Sequence, residues 1–416
     1  MANHQKHALV VVSNIQEFKI LFLNTPLIKK FPEYSFTVAT TKKPNEIHLP
    51  SKINLEYISI ESVQKSKLTR PLWALKNQFF FYRNRKKSHS ARQKFVINIF
   101  NVIALIFGPW REPISRFGIC VLNRSAAYLL LYVVFIMALP VISLISKVLE
   151  IIVQRKTKDE NQQQYELIIF GNLFYAHNYD IVRNFSSRNT RIIGLLRNLD
   201  AASLKGCFYP NPNVIYCQTD FEVEQIKTLH KLGANTNVIV DSKFWAPNIF
   251  RKITSKNAHK KICYATGDWL YTKTDPYNLN AIFSYIVSTN QTKSVSIVLR
   301  LVHTDSLDRF SDILTKFKDV QVIIIYGDQT GAWNYGLQAE LEQDIAATDL
   351  MISANSTICW EARKIGCPAC FLNLIPSERW INEREHMQYL IHQHSIENIT
   401  SEKHLGDYLD AILLSC

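Results

Sequence analysis

The chain has 416 residues, of which 47% are hydrophobic, and it carries a formal net charge of +13. This length exceeds what one compact core accommodates, which excludes a single small domain and predicts two domains of about 150 to 200 residues each. The positive charge favours an anionic partner, which is nucleic acid, an acidic membrane surface or a phosphorylated small molecule.

The first residues are polar and lead into an apolar run of four residues, which is too short for the core of a signal peptide. We therefore expect the chain to begin in the cytoplasm. The eight cysteines are scattered, as expected for small buried residues in a reducing compartment. Only Cys367 and Cys370 have metal or redox spacing. Because no second cysteine pair or Cys/His pair lies nearby, we expect no metal at these cysteines. We also expect no bound cofactor.

Short β-branched runs alternate with helical stretches, a pattern typical of parallel sheets with crossover helices. In the N-terminal half, assigned to residues 1–240, strands are predicted at 7–13, 35–40, 54–60, 166–171, 191–196, 214–218 and 237–240. The pattern predicts a doubly wound, Rossmann-like α/β domain that is interrupted by one long apolar insert.

The insert, at about 83–158, contains two uncharged stretches with basic clusters around and between them. Residues 125–146 would form a helix of about 33 Å, long enough to cross a hydrocarbon core, whereas 95–110 would reach only about 24 Å. If the strands before and after the insert share one cytoplasmic sheet, the chain must cross a bilayer an even number of times or not at all. The basic loop disfavours crossing. We expect a re-entrant or shallow hairpin on the anionic cytoplasmic face; full spanning and buried core helices are the alternatives.

Polar residues follow several strands of the N-terminal half. Gly171 and Asn172 come directly after a strand, where glycine lets a ligand approach the backbone closely. His177 is a candidate base, with a structural role as the alternative. Asp200 and Lys205, in RNLDAASLKG, follow the next strand, where an aspartate is either a turn residue or a ligand contact.

A polar stretch at 241–260 is predicted to link the halves. In the C-terminal half, assigned to 261–416, strands are predicted at 261–265, 295–299, 320–325, 350–353 and 369–372, with helices at 278–288 and 337–346 among others. Two doubly wound domains that face each other would place the carboxyl ends of both sheets at one cleft, where ligands bind in this class.

Two loops of the C-terminal half carry further candidates. Gly267 and Asp268 follow the first strand of this half. Arg300 and His303 close the second strand, in IVLRLVHTDSLDRF. An arginine suits a diphosphate clamp, and a surface pair with Asp305 or Asp308 is the alternative.

The stretch DLMISANSTICWEARKIGCPACF, residues 349–371, is predicted to form a strand, a polar turn and a helix. The turn Asn355-Ser356-Thr357 offers helix N-terminal amides and hydroxyls that suit a phosphate, with simple N-capping as the alternative. Glu361 lies one turn inside the helix, close to its apolar stripe. Because side chains lean toward the helix N-terminus, its carboxylate is expected to accept ribose hydroxyls; a solvated surface glutamate is the alternative.

This stretch resembles the donor-site segment of GT-B glycosyltransferases, in which Asp-apolar-apolar-Ser precedes a Ser-Thr turn, Glu-Ala and Gly-x-Pro. The resemblance implies that Ser356 and Thr357 hold the donor diphosphate and that Glu361 holds the ribose. RNLDAASLKG resembles the Asp-x-x-x-x-Lys-Gly segment of bacterial surface-polysaccharide transferases and CDP-polyol phosphotransferases. IVLRLVHTDSLDRF resembles their Arg-x-His-Pro element, although the spacing is one residue longer and Thr304 replaces proline.

These observations predict a membrane-associated GT-B glycosyltransferase that moves a sugar from a nucleotide-sugar donor to a surface-glycan or lipid-linked acceptor. The expected catalytic residues are Asp200 and His177. The expected donor residues are Asn355, Ser356, Thr357, Glu361, Arg300, His303, Gly267 and Asp268. The expected acceptor or cleft residues are Lys205, Gly171 and Asn172. The alternatives are a CDP-polyol phosphotransferase or other sugar-nucleotide enzyme, a non-catalytic membrane scaffold with a decayed donor site, and a nucleic-acid binder.

Overall fold

The structure is a computed structural model. It describes residues 6–13, 15–23, 27–40, 56–60, 69–88, 90–95, 140–149, 151, 164–196, 198–208, 211–247, 259–267, 273–302, 305–326 and 342–413. The chain divides into two compact units, Met1–Trp245 and Ala246–Cys416. Each unit contains one parallel sheet.

The sheet of the first unit has seven strands among the described residues, and every paired strand is parallel. The strands are β1 (Lys6–Val12), β2 (Tyr34–Thr40), β3 (Glu56–Ser59), β4 (Tyr165–Phe170), β5 (Ser186–Leu195), β6 (Val214–Cys217) and β7 (Asn237–Val240). Their order is β3-β2-β1-β4-β5-β6-β7. The chain winds outward from β1 on one side and from β4 on the other. The carboxyl ends of β1 and β4 therefore flank the topological switch point.

The central strands are apolar because the sheet is covered on both faces. Residues 8–12 of β1 and 167–170 of β4 are all buried, as expected for parallel strands beneath helices. β5 begins earlier than predicted, because residues 186–190 extend it before the apolar run starts. The pairing of β4 with β5 is irregular between Tyr165 and Leu167.

Helices connect these strands. They are α1 (Ile15–Phe18), which continues as the π-helical turn Lys19–Leu23, α2 (Thr69–Asn84), α3 (His177–Phe185), α4 (Ala201–Leu204) and α5 (Asp220–Leu229), with 3₁₀ turns at Leu27–Lys30 and Ser242–Trp245. Residues 90–95 and 140–149 are also helical. α5 begins with a capping box, in which Thr219 accepts from the Glu222 amide at 3.4 Å. Its Ile226 packs into the core beneath the sheet.

Of the predicted apolar stretches 95–110 and 125–146, the structure describes residue 95 and residues 140–146. Within the helical residues 140–149, Val141, Leu144, Ile145 and Val148 are exposed. Across the parts of the chain that the structure covers, no helix has both the length and the apolar composition needed to cross a membrane.

The sheet of the second unit has six strands in the described part of the chain, again all parallel. They are β8 (Lys260–Ala265), β9 (Val295–Leu301), β10 (Gln321–Tyr326), β11 (Leu350–Ser353), β12 (Ala369–Leu372) and β13 (Glu397–Ile399). The order β10-β9-β8-β11-β12-β13 places the switch point between β8 and β11.

The helices of this unit are α6 (Asp275–Ser288), α7 (Ser311–Lys316), α8 (Ile358–Ile365), α9 (Glu385–Gln393) and α10 (Glu402–Leu413), with 3₁₀ turns at Leu307–Phe310 and Pro376–Ile381. α6 and α10 share one core with the sheet, in which Ile282, Phe283 and Leu409 pack against Ile297 and Leu299. Of the predicted helix 337–346, residues 342–346 are described and are helical.

The predicted pair of doubly wound, Rossmann-like domains is confirmed. The predicted strands recur, and β13 is additional. Only three residues of β13 pair with β12, and two of those are polar, so its sequence has no apolar run that would identify a strand.

Candidate functional site

The polar turn Asn355-Ser356-Thr357 follows β11 and leads into α8, beside the switch point of the second sheet. All three residues are half-buried. The Ser356 hydroxyl accepts from the Ile358 amide at 3.3 Å, and the Ser356 amide donates to the Ser353 hydroxyl at 3.2 Å. The Thr357 side chain makes no capping hydrogen bond. Ser356 therefore caps the helix locally, while the Thr357 hydroxyl is not used for capping.

Glu361 lies on the exposed side of α8. Its Oε2 is 2.7 Å from Nζ of Lys364, one turn further along the helix, and Lys364 also sits 4.3 Å from the centre of the Trp360 ring. The carboxylate thus pairs away from the turn, whereas the sequence analysis expected it to point toward the turn. An exposed pair of this kind contributes about 0 to 1 kcal/mol, so a ligand competes with it easily.

A buried polar network holds the loop after β8. Asp275, which is fully buried, accepts from the Tyr264 hydroxyl at 2.7 Å and from the Gly267 amide at 3.0 Å. Asn278 joins the network by donating to the Tyr264 hydroxyl at 3.1 Å. The Gly267 amide is therefore engaged within the protein. Its neighbour Asp268 lies outside the described residues.

Arg300 lies near the carboxyl end of β9 and is partly exposed. Its Nη1 is 3.9 Å from Oδ2 of Asp344. Asp305, which was considered as its partner, instead accepts from Nη1 of Arg309 at 2.6 Å. His303 and Thr304, where the sequence departs from the Arg-x-His-Pro pattern, lie outside the described residues.

At the switch point of the first sheet, Ser13 and Glu17 follow β1. Glu17 is fully buried; it accepts from the Ser13 amide at 2.7 Å and from the Tyr175 hydroxyl at 3.3 Å. Gly171, directly after β4, packs against it: a Cβ built there would lie 2.8 Å from the Glu17 Cβ. The absent side chain of Gly171 is what allows this contact.

His177 opens α3 and contacts the same two residues, Ser13 and Tyr175, that Glu17 contacts. Its Nε2 is within hydrogen-bond distance of the Ser13 hydroxyl, at 3.3 Å, and its ring stacks on Tyr175 at 5.0 Å. The imidazole is half-buried. Asn172 has a structural role in the turn between β4 and α3, where its Oδ1 accepts from the Phe174 amide at 3.0 Å.

Asp200 and Lys205 flank α4 and form an ion pair at 3.9 Å. The Asp200 side chain is 18% exposed and the Lys205 side chain 47%. The two predicted residues therefore contact each other, in a segment that follows β5 rather than at the switch point. At this position Asp200 and Lys205 can either stabilise the loop or contact a ligand.

The structure brings Gly171 and His177 together with three residues that the sequence analysis did not single out. Ser13, Glu17 and Tyr175 complete this cluster, and the polar run SNIQE directly after the first strand was the signal. In the second unit, Asp275 and Asn278 were also missed. Their signal was the polar start of α6, Asp-Pro-Tyr-Asn.

Cys367 and Cys370 are both buried, and Sγ of Cys367 donates to the Thr348 carbonyl at 3.3 Å. Among the residues that the structure describes, no cluster of His, Cys, Asp and Glu has the arrangement of a metal site.

The sequence matches no protein-family model and no curated protein. Solved structures are similar in fold. A putative UDP-N-acetylglucosamine 2-epimerase from Listeria monocytogenes matches over 99% of this chain and 88% of its own, with a TM-score of 0.50 and 10% identity. The wall teichoic acid polymerase TagF matches over 99% and 81%, with a TM-score of 0.42 and 9% identity. Spinosyn rhamnosyltransferase SpnG, complexed with thymidine diphosphate, matches over 99% and 92%, with a TM-score of 0.39 and 10% identity. At such identities the Listeria match shows the fold alone, two Rossmann-like domains of the GT-B type.

Proposed function

We propose that the chain is a nucleotide-sugar-dependent glycosyltransferase that transfers a sugar to a surface-glycan or lipid-linked acceptor at a membrane. The observation that carries this proposal is the chemistry at the two switch points. One presents a hydroxyl-lined helix N-terminus, and the other presents an imidazole that shares the neighbour Ser13 with a buried carboxylate. Ligands of doubly wound folds bind at such points.

The donor would bind to the second unit. The α8 N-terminus and the Thr357 hydroxyl suit a diphosphate, since helix N-terminal amides carry a partial positive charge. Arg300, near the end of β9, would add a guanidinium to this site. β9 and β11 pair with opposite edges of β8. Glu361 would exchange its pairing with Lys364 for the ribose hydroxyls.

The first unit would supply the base. We assign this role to His177 ahead of Asp200, because His177 lies at the switch point and Asp200 pairs with Lys205. The acceptor oxygen would bond to the anomeric carbon of the sugar while the bond from that carbon to the diphosphate breaks. The hydroxyl proton passes to the imidazole, and the electron pair leaves with the nucleoside diphosphate.

Membrane association is supported by the exposed apolar residues of the helical segment 140–149 and by the basic residues of the predicted insert. The fold similarity also supports a sugar-nucleotide ligand, since the Listeria protein is a putative UDP-N-acetylglucosamine 2-epimerase. Such a fold hosts more than one chemistry, so the assay must separate transfer from isomerisation.

The test is calorimetric titration of the full chain with nucleoside diphosphates and their sugar conjugates, followed by product analysis. Thr357→Ala should weaken nucleoside diphosphate binding about tenfold, the effect of losing one hydrogen bond to a charged group. The matched control is Thr315→Ala, an exposed threonine of α7.

Three results would overturn the glycosyltransferase assignment. The first is that the protein binds none of the nucleotides, which would favour the non-catalytic membrane scaffold. The second is conversion of the sugar nucleotide to an isomer without an acceptor. The third is transfer of a polyol phosphate from a CDP conjugate.

A further inference from the structure

A cavity of about 770 Å³ lies within the first unit, and none of its described lining residues belongs to the site at the switch point of that unit. Its walls come from the C-terminal half of α2, from the segment after α4 and from the residues that follow α5. Cationic and aromatic side chains dominate its lining. None of the described lining residues is acidic.

One wall of the cavity is formed by one face of α2. Lys76, Phe79, Phe80 and Arg83 follow the i, i+3, i+4, i+7 spacing that places residues on one helix face. The opposite wall is fixed to α2 by Asn77, which accepts from the Cys207 amide at 2.9 Å.

The glycine before Cys207 makes this contact possible. Gly206 has φ +106°, and a Cβ built there would lie 2.1 Å from Oδ1 of Asn77. Any larger residue would push the segment off the helix and open the cavity wall.

The aromatic part of the lining is rigid and uncharged. Phe208 stacks on His230 at 3.8 Å, and Phe80 lies 4.7 Å from the same imidazole. Burial lowers the pKa of His230 to about 3, so its ring is neutral at physiological pH. Burial also raises the pKa of the Cys207 thiol to about 11, so the thiol adds no negative charge.

Four cations face this neutral wall: Lys76, Arg83, Arg85 and Lys231. Arg83 donates one hydrogen bond from Nη2, to the Leu229 carbonyl at 3.3 Å. The Arg85 guanidinium lies 3.9 Å above the Tyr82 ring and donates to the Tyr82 carbonyl. A guanidinium has five N–H donors, so Arg83 retains donors that suit a phosphate.

An exposed apolar helix adjoins the same α2. Leu149, at the end of the helical residues 140–149, packs on Leu72 and Tyr179. Leu72 precedes Lys76 by one turn of α2, and Nζ of Lys76 lies 5.5 Å from the centre of the Tyr179 ring. The cationic cavity and the exposed apolar face are therefore attached to one helix.

We propose that this cavity binds the phosphate group of an amphiphile, whose apolar chain contacts the aromatic wall and continues over the exposed face of residues 140–149. Four positive charges select a phosphate, and the neighbouring aromatic and aliphatic surface selects an apolar chain. This proposal does not depend on whether the second unit binds a nucleotide.

The first experiment is titration of the full chain with hexyl phosphate and with inorganic phosphate, together with flotation on phosphatidylcholine vesicles with and without phosphatidic acid. Arg83→Gln/Arg85→Gln should weaken hexyl phosphate binding about tenfold or more. The control pair Arg188→Gln/Lys227→Gln removes the same charge from exposed positions of the same unit and should bind as the wild type does. Lys231→Gln, an exposed position, is a second cavity variant should the arginine pair fail to fold.

Two further variants separate the parts of the ligand. Phe79→Ala should weaken hexyl phosphate binding but not inorganic phosphate binding. Leu144→Gln/Val148→Gln should reduce flotation and leave hexyl phosphate binding unchanged. An arginine effect on vesicles alone identifies a membrane lipid headgroup, and an effect on both probes identifies an amphiphile that the cavity encloses.

The proposal is overturned if the arginine pair binds hexyl phosphate and vesicles as tightly as the control pair. It is equally overturned if the protein ignores hexyl phosphate and retains single-stranded DNA through the same two arginines.

Discussion

Glu17 is the residue on which the arrangement at the first switch point depends. A buried carboxylate is costly unless hydrogen bonds satisfy it, and Glu17 accepts from the Ser13 amide and the Tyr175 hydroxyl. Both of these residues also contact His177. The carboxylate thus positions the imidazole through its neighbours.

Gly171→Ala should destabilise the fold by about 1 to 3 kcal/mol, because its Cβ would meet the Glu17 Cβ at 2.8 Å. Urea denaturation followed by circular dichroism measures this. Gly406→Ala is the matched control: it lies inside α10 with no atom closer than 3.8 Å to the new Cβ. We expect this control to gain about 0.5 to 1 kcal/mol from helix propensity. Equal stability of the two variants would contradict the close approach at Gly171.

The buried imidazole of His230 makes stability depend on pH. Its folded-state pKa is about 3, below the ordinary value of 6.5, so the unfolded state binds more protons between these values. Stability is fully present above about pH 6.5 and falls as the pH is lowered. Protonation of His230 in the unfolded state should lower the free energy of unfolding by about 2 kcal/mol at pH 5, relative to pH 7.

His230→Gln isolates this contribution. The variant is expected to be less stable at pH 7, because the stacking with Phe208 is lost. Between pH 7 and pH 5, however, its stability should fall by less than that of the wild type. Parallel slopes for the two proteins would contradict a neutral buried His230.

Among the elements, the segment 205–208 and α2 depend on each other through one contact. Gly206→Ala should cost about 2 kcal/mol or more, since the left-handed backbone alone costs about 1 to 2 kcal/mol and the Asn77 carboxamide would clash with the new Cβ. When Asn77→Ala is added to Gly206→Ala, the stability lost to the clash should return, whereas the stability lost to the left-handed backbone should not. Full additivity in this double-mutant cycle would show that the two residues do not contact each other.

The helix α8 and its turn illustrate what local sequence can and cannot specify. The predicted bounds of β11 and α8 agree with the structure, because a buried apolar strand, a Ser-Thr turn and a glycine at the helix end are local signals. The orientation of Glu361 was not predictable in the same way. Its rotamer depends on Lys364, and a weak exposed ion pair leaves no mark in an apolar pattern.

Lys364→Ala tests whether Glu361 takes the ribose under the proposed function. Removing the competing ammonium should tighten nucleoside diphosphate binding by up to about fivefold, which corresponds to an exposed pair of at most about 1 kcal/mol. Calorimetry with inorganic pyrophosphate is the internal control, since pyrophosphate has no ribose. Weaker binding of both ligands would indicate that Lys364 itself contacts the phosphates.

On the scale of the whole chain, the two units should divide binding from chemistry. His177→Gln is expected to reduce sugar transfer by about 10²- to 10⁴-fold, the usual contribution of a general base. It should leave the dissociation constant of the nucleoside diphosphate unchanged. Arg300→Gln should instead weaken nucleotide binding about tenfold. A loss of nucleotide affinity in His177→Gln would contradict this division.

The global architecture was predictable because alternating strands and helices leave few arrangements open. The composition of the first site was only partly predictable. Ser13 and His177 are 164 residues apart, and only the pairing of β1 with β4 brings their strands together. The insert shows the opposite limit: its uncharged stretches and basic flanks predict a membrane-associated hairpin, and this stays a prediction because most of residues 83–158 lie outside the described part of the chain.

The pairing of β1 with β4 also has a consequence for biosynthesis. The first strand leaves the ribosome about 160 residues before its central partner, which corresponds to roughly 10 to 30 s at 5 to 20 residues per second. During that time the apolar edge of residues 8–12 has only β2 beside it. An unpaired apolar strand edge tends to pair with other chains, so we expect the nascent chain to be most prone to aggregation before translation passes Phe170.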